Sequence, residues 1–81
     1  MKDWNKLASN LLKSELKRRD IDYEQLIVLL KKHDIEETKA SILNKLSRGT
    51  FQLSFFLQCC AAIGLKTLRL DDLFEEKISL E

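Results

Sequence analysis

Residues 38–56 read TKASILNKLSRGTFQLSFF, and the reading of this stretch decides the fold. Thr38 to about Ser47 has the pattern of a short helix, with Thr38 as its N-cap and Ile42, Leu43 and Leu46 facing inward. Arg48-Gly49 punctuates it, glycine supplying the positive φ that ends a helix. A strongly apolar helix, Leu53 to Ile63, follows and must be core. The spacing leaves Lys39, Ser41, Asn44 and Lys45 outward on the short helix, with Arg48 at its end. These are donors of the kind that meet DNA phosphates and base edges, and no carboxylate stands among them.

The apolar helix places Leu53, Phe56, Leu57, Cys60, Ala61 and Ile63 at core spacing, with Phe51 and Phe55 adding to it. Gly64 terminates it, followed by Leu65 as an apolar lock. Upstream, Trp4, Leu7, Ala8, Leu11, Leu12 and Leu16 repeat at the spacing of an amphipathic helix from an Asp3 N-cap to about Arg19. Its far face carries Lys6, Lys13 and Lys17, and it ends in Lys17-Arg18-Arg19. Cations there complement the helix dipole, which is enough to explain them; phosphate contact is the sharper alternative. Asp22 with Gln25 reads as a capping box opening a second helix, Tyr23 to about His33, which buries Leu26, Ile27 and Leu30. Val28 and Leu29 leave little of its middle polar, so it is either central or a subunit contact. Asp34-Ile35-Glu36-Glu37 is the turn that follows, with Ile35 plugged into the core.

The tail, LKTLRLDDLFEEKISLE, admits two readings. Leu68, Leu70, Leu73 and Phe74 suit a short fifth helix beginning near Asp71. KTLRL and KISLE also alternate like short strands, more credible if paired across a dimer. The expectation is one all-α domain of four to five helices over residues 1–81, with a core of about 3–74, a tail of 75–81 and a short β tail as the alternative.

Bulk properties narrow the function. At 81 residues, 44% apolar and 33% charged, the chain is an ordinary globular one, able to bury about 60% of its unfolded surface. No apolar run reaches the roughly 18 residues of a membrane span, and the start lacks the apolar block of a secretory signal, so a cytoplasmic, non-membrane protein is expected. The net charge of +1 is unevenly placed: residues 1–49 hold eleven Lys/Arg against eight Asp/Glu, and residues 50–81 hold three against five. The basic half contains the polar helix, which suits an oriented approach to a polyanion. Cys59 and Cys60 are adjacent, wrong for a structural disulfide and without His or Cys at zinc spacing, so they read as core. His33 is the sole histidine. No nucleophile–base pair, metal cluster or phosphate loop appears, so no catalytic residue, metal, cofactor or small-molecule ligand is assigned, and an enzyme is the least favoured reading.

The order of these elements resembles the Cro and phage-repressor (Xre-type, lambda-repressor-like) helix-turn-helix family. Asn44-Lys45-Leu46-Ser47-Arg48-Gly49-Thr50-Phe51 looks like that family's end of recognition helix plus Arg-Gly turn. Leu53 to Gly64 looks like its following helix, and Leu26 falls at the buried Leu of its second helix. The likeness spans about Leu11 to Leu73, and an Asn-Lys-x-x-Arg-Gly-x-Phe string also marks a bacterial group of such domains. Departures are Ile27 for the common Ala, Lys31 for the turn Gly, extra residues between Leu30 and Leu43, and Ser47 for Glu. The resemblance implies a bacterial or phage transcriptional regulator, a small repressor binding double-stranded DNA as a homodimer through its third helix. It implies base contacts from Lys39, Ser41 and Asn44 with Thr38 capping nearby, and phosphate contacts from Lys45, Arg48, Tyr23 and Gln25. Each has a plainer reading: Lys39 and Lys45 solvated, Asn44 bonded to the turn, Arg48 bracing the Gly49 loop. The rival function is a protein-interaction or antitoxin-like module on the same fold. Dimer surfaces would be Val28/Leu29, the Trp4 helix or the tail strands.

Overall fold

Asp3 opens the first helix by accepting a 3.0 Å hydrogen bond from the Lys6 amide, one of the donors a helix start leaves unpaired. In the computed structural model, which describes residues 3–71, four helices follow: α1 (Trp4–Arg18), α2 (Tyr23–Lys31), α3 (Lys39–Arg48) and α4 (Leu53–Ile63). The fold is all-α, and no described helix is long and apolar enough to cross a membrane. α2 begins with the expected capping box, Asp22 Oδ1 accepting from the Gln25 amide at 2.8 Å and Gln25 Oε1 from the Asp22 amide at 2.9 Å. It ends at Lys31 rather than near His33.

Three helices stop by one device. After α1, Asp20 takes a left-handed conformation (φ 57°), its amide donates to Lys17 and the Ile21 amide to Leu16. After α2, Asp34 (φ 60°) donates to Lys31 and Ile35 to Leu30; after α4, Gly64 (φ 77°) donates to Ala61 and Leu65 to Cys60. In each, an apolar residue follows the reversal, and two of them, Ile21 and Ile35, pack against the core. Only the glycine version was expected. Asp serves at the other two positions because, like Asn, it tolerates the left-handed region better than most side chains.

α1 packs on α3 and α2 on both α3 and α4. The core is Leu12 and Leu16 from α1, Leu26 and Leu30 from α2, Ile42 and Leu46 from α3, and Phe55, Phe56 and Cys59 from α4. Burying each Leu contributes about 1.5–3 kcal/mol. The inward face of α4 differs from the expected one. Phe55, Phe56 and Cys59 are buried, Cys60 and Ile63 half-buried, while Leu53 and Leu57 are 70% and 56% exposed and Ala61 is exposed. Its sequence, LSFFLQCCAAI, is apolar almost all round and does not fix the helix rotation. Leu43 is likewise 42% exposed rather than inward, and Trp4, counted on the apolar face of α1, is 59% exposed. Lys66–Arg69 (KTLRL with Leu70) form no strand, having no partner strand among the described residues to complete a ladder; Leu70 and Asp71 are helical. The rest of the expected fifth helix and the KISLE strand lie outside the described residues.

Candidate nucleic-acid interface

Gly49 fixes the seat of α3. It is left-handed (φ 68°), its amide donates to Lys45 at 3.0 Å, and its backbone lies directly on the first turn of α1. A Cβ at this position would lie 2.6 Å from the Asn5 carbonyl carbon and 2.9 Å from its Cα, so only glycine fits. One turn earlier, the buried Ser9 hydroxyl donates to the Leu46 carbonyl, which α3 itself leaves unpaired. Two backbone-level contacts thus hold the end of α3 against α1.

With Ile42 and Leu46 inward, a turn of 100° per residue directs Asn44 away from the core, flanked by Ala40, Ser47 and Arg48. All four are exposed. Thr38 caps α3 as expected, its hydroxyl accepting from the Ser41 amide at 3.1 Å. The expected outward set is nevertheless divided. Ser41 and Lys45 lie on the flank toward α4, where Glu37 gathers them: the Ser41 hydroxyl donates to Glu37 Oε1, and Lys45 Nζ to Glu37 Oε2 at 2.6 Å. The Lys45 ammonium also stands 4.5 Å from the centre of the Phe55 ring, a cation–π contact. Lys45 is half-buried and engaged by Glu37 rather than free. Lys39 lies on the opposite flank, toward α2, and pairs with Glu24 at 2.9 Å. That hydrogen bond holds the Glu24 carboxyl below, and the Lys39 ammonium above, their ordinary values. Of the residues proposed on α3, Asn44 and Arg48 are outward and, among the described residues, in no ion pair.

Arg48 forms a ridge between two open hollows. On one side Asn44 and Arg48 meet Thr50, Gln52, Ser54 and Gln58, with Glu37 and Lys45 at the base. On the other, Leu43, Ser47 and Arg48 face Tyr23 and the α1 residues Asn5, Lys6, Asn10 and Lys13 across a cleft of about 640 Å³. Tyr23 and Gln25 line a further hollow with Lys13, Lys17, Asp20 and Asp22. Tyr23 is therefore beside α3, whereas the Gln25 carbonyl oxygen is taken up in the α2 cap. Asn10, Ser47, Gln52 and Gln58 escaped the sequence reading. Lys6 and Lys13 were already read on the far face of the first helix; Asn10 was recoverable between them, at spacings of four and three on one helical face.

Both cysteines are free thiols, Cys59 buried and Cys60 half-buried. Burial pushes the Cys59 thiol up to about 12 and also raises Cys60, so both are protonated at neutral pH. Among the described residues no group of three His, Cys, Asp or Glu could hold a metal ion. The connection between α2 and α3, residues 32–38, is longer than a tight helix-turn-helix turn; Glu37 at its end is the residue that ties it to α3.

A family model described as a domain of unknown function (DUF6471) matches residues 4–68, most of the chain, and the chain belongs to that family. Comparison with curated proteins and with solved structures finds no match.

Proposed function

We propose that this member of the DUF6471 family is a DNA-binding regulator, a small repressor that docks α3 in the major groove of duplex DNA. The observation that carries the reading is the outward face of α3. Asn44, Ser47 and Arg48 stand exposed on it, and the helix KASILNKLSR contains no carboxylate. Asn hydrogen-bonds adenine through two atoms, and Arg does the same for guanine or grips a phosphate. Base contact is assigned to Asn44 and Ser47, and backbone contact to Arg48 and Tyr23. Lys39, Ser41 and Lys45 are assigned to bracing instead, because their partners are the protein's own carboxylates.

One module of this size buries too little DNA for useful specificity, so binding as a homodimer belongs to the proposal. The exposed apolar residues Val28 (57%), Leu53 and Leu57 supply surface for it. The same residues favour a second reading, a protein-interaction module without sequence-specific DNA binding. Selection of bound fragments from random duplex DNA, run with the wild type and with Asn44→Ala, separates the two. An enriched motif that changes or vanishes with Asn44→Ala is expected. No enriched motif from the wild type would sink the regulator reading and leave the interaction module.

A further inference from the structure

We infer that α1 is a second DNA-contacting element, its Lys6–Asn10–Lys13 stripe gripping the phosphate backbone beside the groove that receives α3. The inference rests on the DNA-binding reading and extends it to a helix outside the α2–α3 pair. Residues 6, 10 and 13 repeat at the four-three spacing that puts side chains on one helical face, and all three are exposed. That face is not remote from α3: it forms one wall of the cleft whose other wall is Leu43, Ser47 and Arg48, with Tyr23 beside them.

The charge on this wall is available. Among the described residues neither Lys6 nor Lys13 takes part in an ion pair, unlike Lys39 and Lys45. The one carboxylate lining the cleft, Asp3, is occupied in accepting the Lys6 backbone amide at the start of α1. Lys13 also borders the next hollow, which it shares with Lys17, Asp20 and Asp22, so it stands at the end of the wall, where carboxylates begin. Lys6 and Lys13 are separated by about 10 Å of helix rise, the length of about three base steps at roughly 3.4 Å per strand. Asn10 between them is a neutral donor to a phosphate oxygen or sugar. The seat of α3 on Asn5 and Ser9 holds this wall at a fixed distance from the reading face.

The test is the salt dependence of binding to a mixed-sequence duplex, measured by fluorescence anisotropy on the full chain. Lys6→Gln/Lys13→Gln is compared with Lys31→Gln/Lys32→Gln, a pair of equal charge at the C-terminal end of α2. Each phosphate contact contributes a slope of about 0.9 in log K against log salt, so the α1 pair is expected to lose about 1.8 of slope while the α2 pair keeps the wild-type value. Asn10→Asp, which puts a carboxylate into the stripe, is expected to weaken binding several-fold. A wild-type slope in the α1 pair overturns the inference and leaves DNA binding standing. Equal losses in both pairs reduce the effect to net charge and also overturn it. If the wild type binds no duplex at any salt, the DNA-binding reading fails first and takes this inference with it.

Discussion

Replacing Gly49 with Ala tests the joint that orients α3. Two costs add at this position. A non-glycine residue held at φ 68° costs about 1–2 kcal/mol. The added methyl also meets the backbone of Asn5 rather than a yielding side chain, and overpacking of that kind costs about 1–3 kcal/mol. The total, about 2–5 kcal/mol, is a large share of the roughly 5–15 kcal/mol that holds a domain folded. Gly64 is the internal control: its φ of 77° carries the same conformational cost, but a Cβ there meets nothing within 4 Å. Urea unfolding followed by far-UV circular dichroism should show Gly64→Ala losing only the first term and Gly49→Ala losing both. The urea midpoint of Gly49→Ala should fall well below that of Gly64→Ala at similar m-values. Equal losses in the two variants would refute the close-approach argument and leave only the left-handed backbone.

Glu37→Ala frees Ser41 and Lys45 together; unfolding should show a loss of about 1–2 kcal/mol, while affinity for mixed-sequence duplex should rise as Lys45 becomes available and a carboxylate disappears. Unchanged stability would mean that the cluster does not hold the connection to α3. Arg19→Ala leaves the Glu15 carboxylate, whose side chain is 7% exposed, with Arg18 at 3.7 Å in place of a 2.7 Å partner; a loss of about 1.5–3 kcal/mol at neutral pH is expected in the same assay, and none is expected from Arg18→Ala. The buried Cys59 thiol is raised from 9.0 to about 12, so above pH 9 the unfolded chain releases a proton that the folded one keeps. Stability from this group is full below pH 9 and falls by up to about 1.4 kcal/mol per pH unit towards pH 12. The stability difference between wild type and Cys59→Val should shrink over that range, and a constant difference would contradict it.

The N-terminal half of the fold was legible because local rules decide it. Asp3, Asp22 with Gln25, and Thr38 each cap a helix through bonds to residues three positions on, so sequence spacing is enough to find them. α4 resisted the same treatment. Leu53 and Leu57 are as apolar as Phe55 and Phe56, and only packing against α2 selects which pair is buried. The site was legible as a segment and not as a surface. Asn44 and Arg48 were expected outward and are exposed, but Ser41 and Lys45 follow Glu37 at intervals of four, and that alignment matters only once the connection lies against α3. The Ser9–Leu46 bond and the Gly49–Asn5 contact join residues far apart in the chain, and no local pattern announces them.

That separation has a kinetic side. Ser9 and Leu46 are 37 residues apart, and closing a loop of that length costs about 3 kcal/mol of chain entropy before any contact offsets it. α1 precedes α3 in the chain and reaches its seat on α3 only once Gly49 has emerged. α2 and α3 lie closer in the chain, joined by residues 32–38, and a shorter loop costs less to close. The face of α3 and the wall of α1 are therefore joined across the longer loop, and an opening that parts them removes the whole cleft in one event.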